Sequence, residues 1–175
     1  MHRLTVLLPL ALMACAVPPG GGGFREVDRA IYSTAVLEPA RLAGRWYQVA
    51  DFVDEGAAAC RAGGVMVEPR GDGTLGLKAD LCLAGRKTAY GGVARVSGPG
   101  RMVLEGADPA GIGAEWWVLW VDTNDRTLVV GTPGGGFGMI LNRTPDLPPD
   151  RMRAAREILE WNGYDIARLR PVSTP

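Results

Sequence analysis

The stretch LAGRWYQVA, Leu42–Ala50, decides how the rest of the chain is read. Glycine weakens a strand, and tryptophan is costly to bury unless its indole N–H finds a partner. A Gly-x-Trp pair at the start of an alternating segment is therefore positional. Gly44 marks a place where something approaches the backbone closely, and Trp46 begins the inward face of a strand.

Outward from that point, segments with strand character recur at short spacing, each bounded by Gly, Pro, Asp or Asn. Eight strands are predicted, at 45–54, 64–69, 74–82, 87–97, 101–105, 115–122, 126–131 and 136–143, separated by turns such as RGDG, SGPG, DTND and PGGG. The 25 glycines and 13 prolines supply those turns. Every connection is short enough for a hairpin, so the expected fold is all-β, an eight-stranded up-and-down antiparallel barrel that closes on itself and leaves no exposed edge.

Alternation sets the polarity of the wall. In TLGLKADLC, Leu75, Leu77, Ala79 and Leu81 share one face and Lys78 and Asp80 the other; in KTAYGGVARV, Tyr90, Ala94 and Val96 oppose Lys87 and Arg95. Apolar faces point inward. A membrane-spanning barrel needs the reverse, at ~2–4 kcal/mol for each Lys or Arg facing lipid near the midplane. After the strands, PDLPPDRMRAAREILEWNG carries Met152, Ala155, Ile158 and Leu159 at helical spacing and ends in Asn162-Gly163. This predicts one amphipathic helix packed outside the barrel, with Arg151, Arg153 and Arg156 on a solvated outer face, a lipid-headgroup face being the alternative. The tail YDIARLRPV offers one more short strand.

The N-terminus has a different character. MHRLTVLLPLALMA, residues 1–14, has a basic start and an apolar run too short to span a bilayer comfortably, which reads as an export signal. It ends in LMAC, which resembles the bacterial lipobox and makes Cys15 the expected site of lipidation. An ordinary signal peptide cut after Ala14 or Ala16 is the alternative. Residues 15–35 then read as the lipidated Cys and a Pro- and Gly-rich tether, and 36–175 as the folded domain. Ala16 is not the Asp that usually retains such proteins at the inner membrane, so an outer-membrane lipoprotein facing the periplasm is expected.

Export implies an oxidising compartment, in which Cys60 and Cys82 are expected to pair. A hairpin turning at RGDG pairs residues whose numbers sum to about 144, and these two nearly satisfy it. The only histidine is His2, within the signal, which excludes a Ser-His or Cys-His nucleophile pair and any His-bearing zinc site in the mature protein. No metal and no cofactor is expected. The formal net charge is zero with no run of like charge, so a nucleic-acid partner has no support.

Three separated motifs carry a family resemblance: GRWYQVA at the first strand, WWVLWVDTNDRTLVVGTP across one hairpin, and MILNRTPDLPPDRM running on through NGYDIARL. Together they resemble the lipocalins, most closely their bacterial outer-membrane lipoprotein branch, although the family often has Trp where this chain has Met139. The resemblance implies a membrane-anchored, non-enzymatic protein binding one small apolar ligand, such as a fatty acid or lysophospholipid. Two alternatives remain: a lipocalin-like enzyme acting through a thiol of Cys60 or Cys82, and a filled barrel serving as a scaffold for protein contacts.

If strands alternate direction from Gly44, then Gly44, Trp46, Asp122 and Arg143 lie together at one closed end, with the Arg143 guanidinium stacked on the Trp46 indole. Counting by twos from these anchors places Gln48, Ala50 and Phe52, Trp116, Val118 and Trp120, and Phe137, Met139 and Leu141 inside. With Leu77 and Tyr90, these form the expected ligand wall. Trp117, Leu119 and Val121 are expected beneath the helix.

Overall fold

The computed structural model describes residues 23–35, 37–58, 60–106 and 111–173. The expected signal segment and Cys15 lie outside them. Eight antiparallel strands follow in chain order: β1 Gly44–Phe52, β2 Gly64–Pro69, β3 Leu75–Leu83, β4 Arg86–Gly98, β5 Arg101–Leu104, β6 Trp116–Val121, β7 Thr127–Gly131 and β8 Gly138–Asn142. Each pairs with its neighbour in sequence, and β8 and β2 both pair with β1, which closes the barrel. Helix α1, Pro149–Trp161, packs outside against β6 and β7, and a short β9, Leu169–Pro171, follows it.

β1 is bordered differently along its length. Gly44 to Trp46 pair with Val67 to Val65 of β2, whereas Ala50 to Phe52 pair with Pro171 to Leu169 of β9. β2 begins only at Gly64, so the C-terminal strand takes over the edge of β1 that β2 leaves open.

Two apolar clusters result. The inner one fills the barrel and includes Leu37, Leu42, Trp46, Leu77, Ile112, Trp116, Phe137, Met139 and Leu141. The outer one lies between barrel and helix and includes Phe24, Phe52, Leu119, Ile140, Ala155, Leu159 and Tyr164. Gly131 and Gly138 pair across β7 and β8 and seat the Tyr164 ring there; a Cβ on Gly138 would lie 2.7 Å from that ring. Phe52 stacks at 5.0 Å from Tyr164 and 5.7 Å from Phe24.

The segment expected to act as a tether up to residue 35 is fastened to the barrel at Phe24 and Arg25, while residues 26–30 are exposed. Phe24 is buried, its N–H donates to the Gly135 carbonyl (2.6 Å), and the buried Arg25 donates to the carbonyls of Asn162 (3.0 Å) and Pro133 (2.6 Å). An apolar ring and a guanidinium with carbonyl partners give this segment the burial that its flanking glycines lack. Arg151 is likewise not a solvated helix residue, because it reaches Thr127 Oγ1 (2.8 Å) and Asn142 Oδ1 (3.0 Å).

Candidate functional site

One end of the barrel is plugged by Trp46, whose indole N–H donates to the Leu42 carbonyl at 2.7 Å. Arg143 lies over the ring with its guanidinium carbon 3.6 Å from the centroid. Its nitrogens donate to the carbonyls of Arg41 (3.0 Å), Ala43 (2.8 Å), Arg45 (3.1 Å) and Asp125 (3.2 Å). Gly44 has φ +93° and a Cβ there would stand 3.3 Å from Arg143 Nη1, so both its backbone angle and the space above it favour glycine. Asp122 organises the β6–β7 turn at this end by accepting from the N–H groups of Arg126 and Thr127. Burial alone raises its carboxyl, but these hydrogen bonds and Arg126 outweigh that and hold it below the ordinary aspartate range.

The opposite end is the mouth, formed by the β1–β2, β3–β4, β5–β6 and β7–β8 connections. Gln48 is fully buried beneath it and spans from β1 to β3, donating to the Cys82 carbonyl and accepting from the Cys82 N–H, both at 2.7 Å. Its amide thus pairs with β3 directly, beyond the point where β2 begins. Cys82 is also joined to Cys60 by a disulfide that ties the β1–β2 loop to the barrel. The β2–β3 register pairs Gly64 with Asp80, a sum of 144, and the bond forms just beyond the last strand pair, with 6.0 Å between Cα atoms. Asp51 continues the linkage, with one carboxylate oxygen accepting from the Gly85 N–H (2.9 Å) and the other buried without a partner. Burial pushes its pKa up to about 7, against the lowering effect of the Gly85 N–H and of the neighbouring backbone at Phe52 and Ala84.

Trp116 donates to the Ile112 carbonyl (2.9 Å) and meets Phe137 edge-on at 5.9 Å. Ile112, flanked by Gly111 and Gly113, is completely buried in the inner cluster. Between this layer and Trp46 remains a cavity of about 20 Å³, lined by Leu42, Trp46, Leu77, Trp116, Val118 and Leu141 among others. That is room for about one water, and its apolar lining gives a water no partner. A larger hollow, about 320 Å³, opens on the outer wall between the β1–β2 loop and β9, beside Asp51, Glu55 and Val172.

The expected wall residues divide. Gln48, Leu77, Trp116, Val118, Phe137, Met139 and Leu141 face the interior. Tyr90 packs half-buried against the same cluster, with its hydroxyl turned to the carbonyls of Glu105 (2.7 Å) and Val93 (2.9 Å). Ala50, Phe52 and Trp120 do not face it, because the ladder shifts between Gln48 and Ala50 and again between Val118 and Trp120. Each extra residue reverses the alternation beyond it. Ala50, Phe52 and Trp120 consequently join the outer cluster, and Val121 turns inward, whereas Trp117 and Leu119 stay outside. Leu37, Leu42 and Ile112 were missed because they come from outside the strands, where no period exists to follow.

Among the described residues no group of His, Cys, Asp and Glu is arranged to hold a metal ion. No curated protein matches the chain. A family model for the lipocalin-like domain matches residues 37–174, which spans all eight barrel strands, the outer helix and β9. With a closed eight-stranded barrel, an outer helix and this match over most of its length, the chain belongs to the lipocalin-like family, a fold that suggests small hydrophobic ligand binding.

Proposed function

We propose that this is a membrane-tethered lipocalin that takes up one apolar ligand, a fatty acid, lysophospholipid or similar lipid, for storage or transport in a bacterial cell envelope. The supporting observation is the lumen's chemistry. Its residual cavity is walled by apolar side chains, and the β5–β6 connection at the mouth sends the fully buried Ile112, set between two glycines, into the inner cluster. Pockets that hold small molecules measure ~300–1,000 Å³. A ligand therefore enters only when Ile112 and the Trp116–Phe137 pair swing aside, and the closed barrel is the ligand-free form. The anchor in this reading is an acylated Cys15, held in the outer membrane. The Cys60–Cys82 disulfide leaves neither sulfur as a thiol, which supports binding over thiol catalysis.

The 20 Å³ cavity favours a second reading, a barrel filled by its own side chains that acts as a scaffold for protein contacts. Tryptophan fluorescence separates the two. Titration with oleate or a lysophosphatidylcholine should change the emission of Trp46 and Trp116 saturably, and Ile112→Ala should bind faster than the parent. If neither protein binds any lipid tested, the filled barrel is the correct reading.

A further inference from the structure

Four large apolar side chains of the described residues are exposed; one, Val103 on β5, is 37% exposed, and the other three are more so. Trp161, Val27 and Tyr32 are 68%, 64% and 60% exposed. All three sit on segments fastened to the same two residues at the end of α1. Trp161 precedes Asn162 in the chain, the Tyr32 N–H donates to Asn162 Oδ1 (2.9 Å), and the Glu26 N–H donates to the Gly163 carbonyl (2.9 Å). The α1 end of this patch lies on the mouth side, since the next residue, Tyr164, places its hydroxyl against Thr132 and Phe137 at the β7–β8 connection, and from Tyr32 the chain runs on toward the β4–β5 turn, where Ser33 Oγ donates to the Pro99 carbonyl (2.9 Å).

The chain also leaves the domain there. Gly23 lies so close to the β7–β8 loop that a Cβ on it would be 2.5 Å from the Gly134 carbonyl oxygen, and Phe24 is hydrogen-bonded to Gly135. Eight residue steps separate Cys15 from Gly23, a span of at most ~29 Å when fully extended. An anchor at Cys15 thus draws this side of the barrel, and not the Trp46 plug, toward the bilayer.

We propose that the face bearing Val27, Tyr32 and Trp161 rests on a zwitterionic phospholipid surface and holds the mouth of the barrel against the membrane. The proposal rests on the tethered reading above. Tryptophan and tyrosine suit the interface because each has an apolar ring and one polar edge. Charges on the two segments cancel: Glu26, Asp28, Asp150, Glu157 and Glu160 against Arg25, Arg29, Arg151, Arg153 and Arg156. Contact therefore depends on buried apolar area and not on anionic lipid, and salt has little effect on it. A lipid leaving the bilayer then meets the β5–β6 connection and Ile112 directly.

The test uses the full chain as isolated from membranes, mixed with excess phosphatidylcholine vesicles containing dibrominated phosphatidylcholine. Quenching of Trp161 is read as the difference between the parent and Trp161→Phe. The expected result is quenching that persists at 0.5 M salt, with association roughly tenfold weaker in Trp161→Ala/Tyr32→Ala. Mass analysis of the N-terminal peptide reports the Cys15 anchor separately. An acylated chain that sediments with vesicles without Trp161 quenching overturns the docking face and leaves the anchor standing. An unacylated chain whose Trp161 is quenched retains the docking face without the anchor. Self-association abolished by Trp161→Ala, with no quenching, would assign the face to a second copy of the chain and overturn the proposal.

Discussion

Arg143 covers Trp46 at 3.6 Å while donating to four main-chain carbonyls, so one side chain just past the last barrel strand closes the end at which the first begins. A cation over an indole contributes ~0.5–2 kcal/mol, and the carbonyls stranded by its loss cost more. Arg143→Ala should destabilise by ~2–4 kcal/mol in urea unfolding, against ~0.5 kcal/mol or less for the exposed Arg153→Ala. Equal midpoints for the two variants would show that the stack carries no stability.

Gln48 is the polar counterpart at the mouth. Gln48→Leu keeps roughly the volume but strips both partners from Cys82, whose N–H and carbonyl are then buried and unpaired. A loss of ~2–4 kcal/mol is expected. Unchanged unfolding would mean that water replaces the amide there.

The Cys60–Cys82 bond encloses a separation of 22 residues. Loop closure predicts a loss of roughly 3 kcal/mol when both cysteines become serine. The β1–β2 loop should also become the first site of proteolytic cleavage, which limited digestion of the parent and the variant compares.

Asp51 ties stability to pH. Its folded pKa is raised from 3.8 to about 7, so the folded state holds the proton more tightly than the unfolded chain. The resulting stability is complete below about pH 4 and is lost as pH rises through 7. Asp51→Asn cannot ionise and should be the more stable protein at pH 9, with the advantage shrinking toward pH 5. Urea midpoints at pH 5, 7 and 9 check this, and parallel profiles would remove Asp51 as the cause.

Trp116 and Trp120 are four residues apart on one strand yet belong to different clusters. Trp116→Ala should alter lipid affinity or the fluorescence response at least tenfold more than Trp120→Ala, whose ring packs outside. The reverse order would place the ligand on the outer wall.

The strand order, the outer helix, the plug at Trp46 and the Cys60–Cys82 pairing were legible in the sequence because each rests on local chemistry or simple register. Turn residues mark where strands reverse, a period of two marks the faces, and alternating direction alone brings Gly44 beside Arg143. The chain by itself therefore determined that it closes into an apolar-lined barrel. Which side chains line that barrel, and how much room they leave, only the tertiary structure decided. The bulges between Gln48 and Ala50 and between Val118 and Trp120 send Phe52 and Trp120 outward, and no residue type announces them. A bulge is selected by how the strand must bend to meet its neighbours and the helix layer. The lumen's remaining volume is likewise a small difference between the space the strands enclose and the bulk of the side chains within, including Ile112, Leu37 and Leu42 delivered from outside the strands.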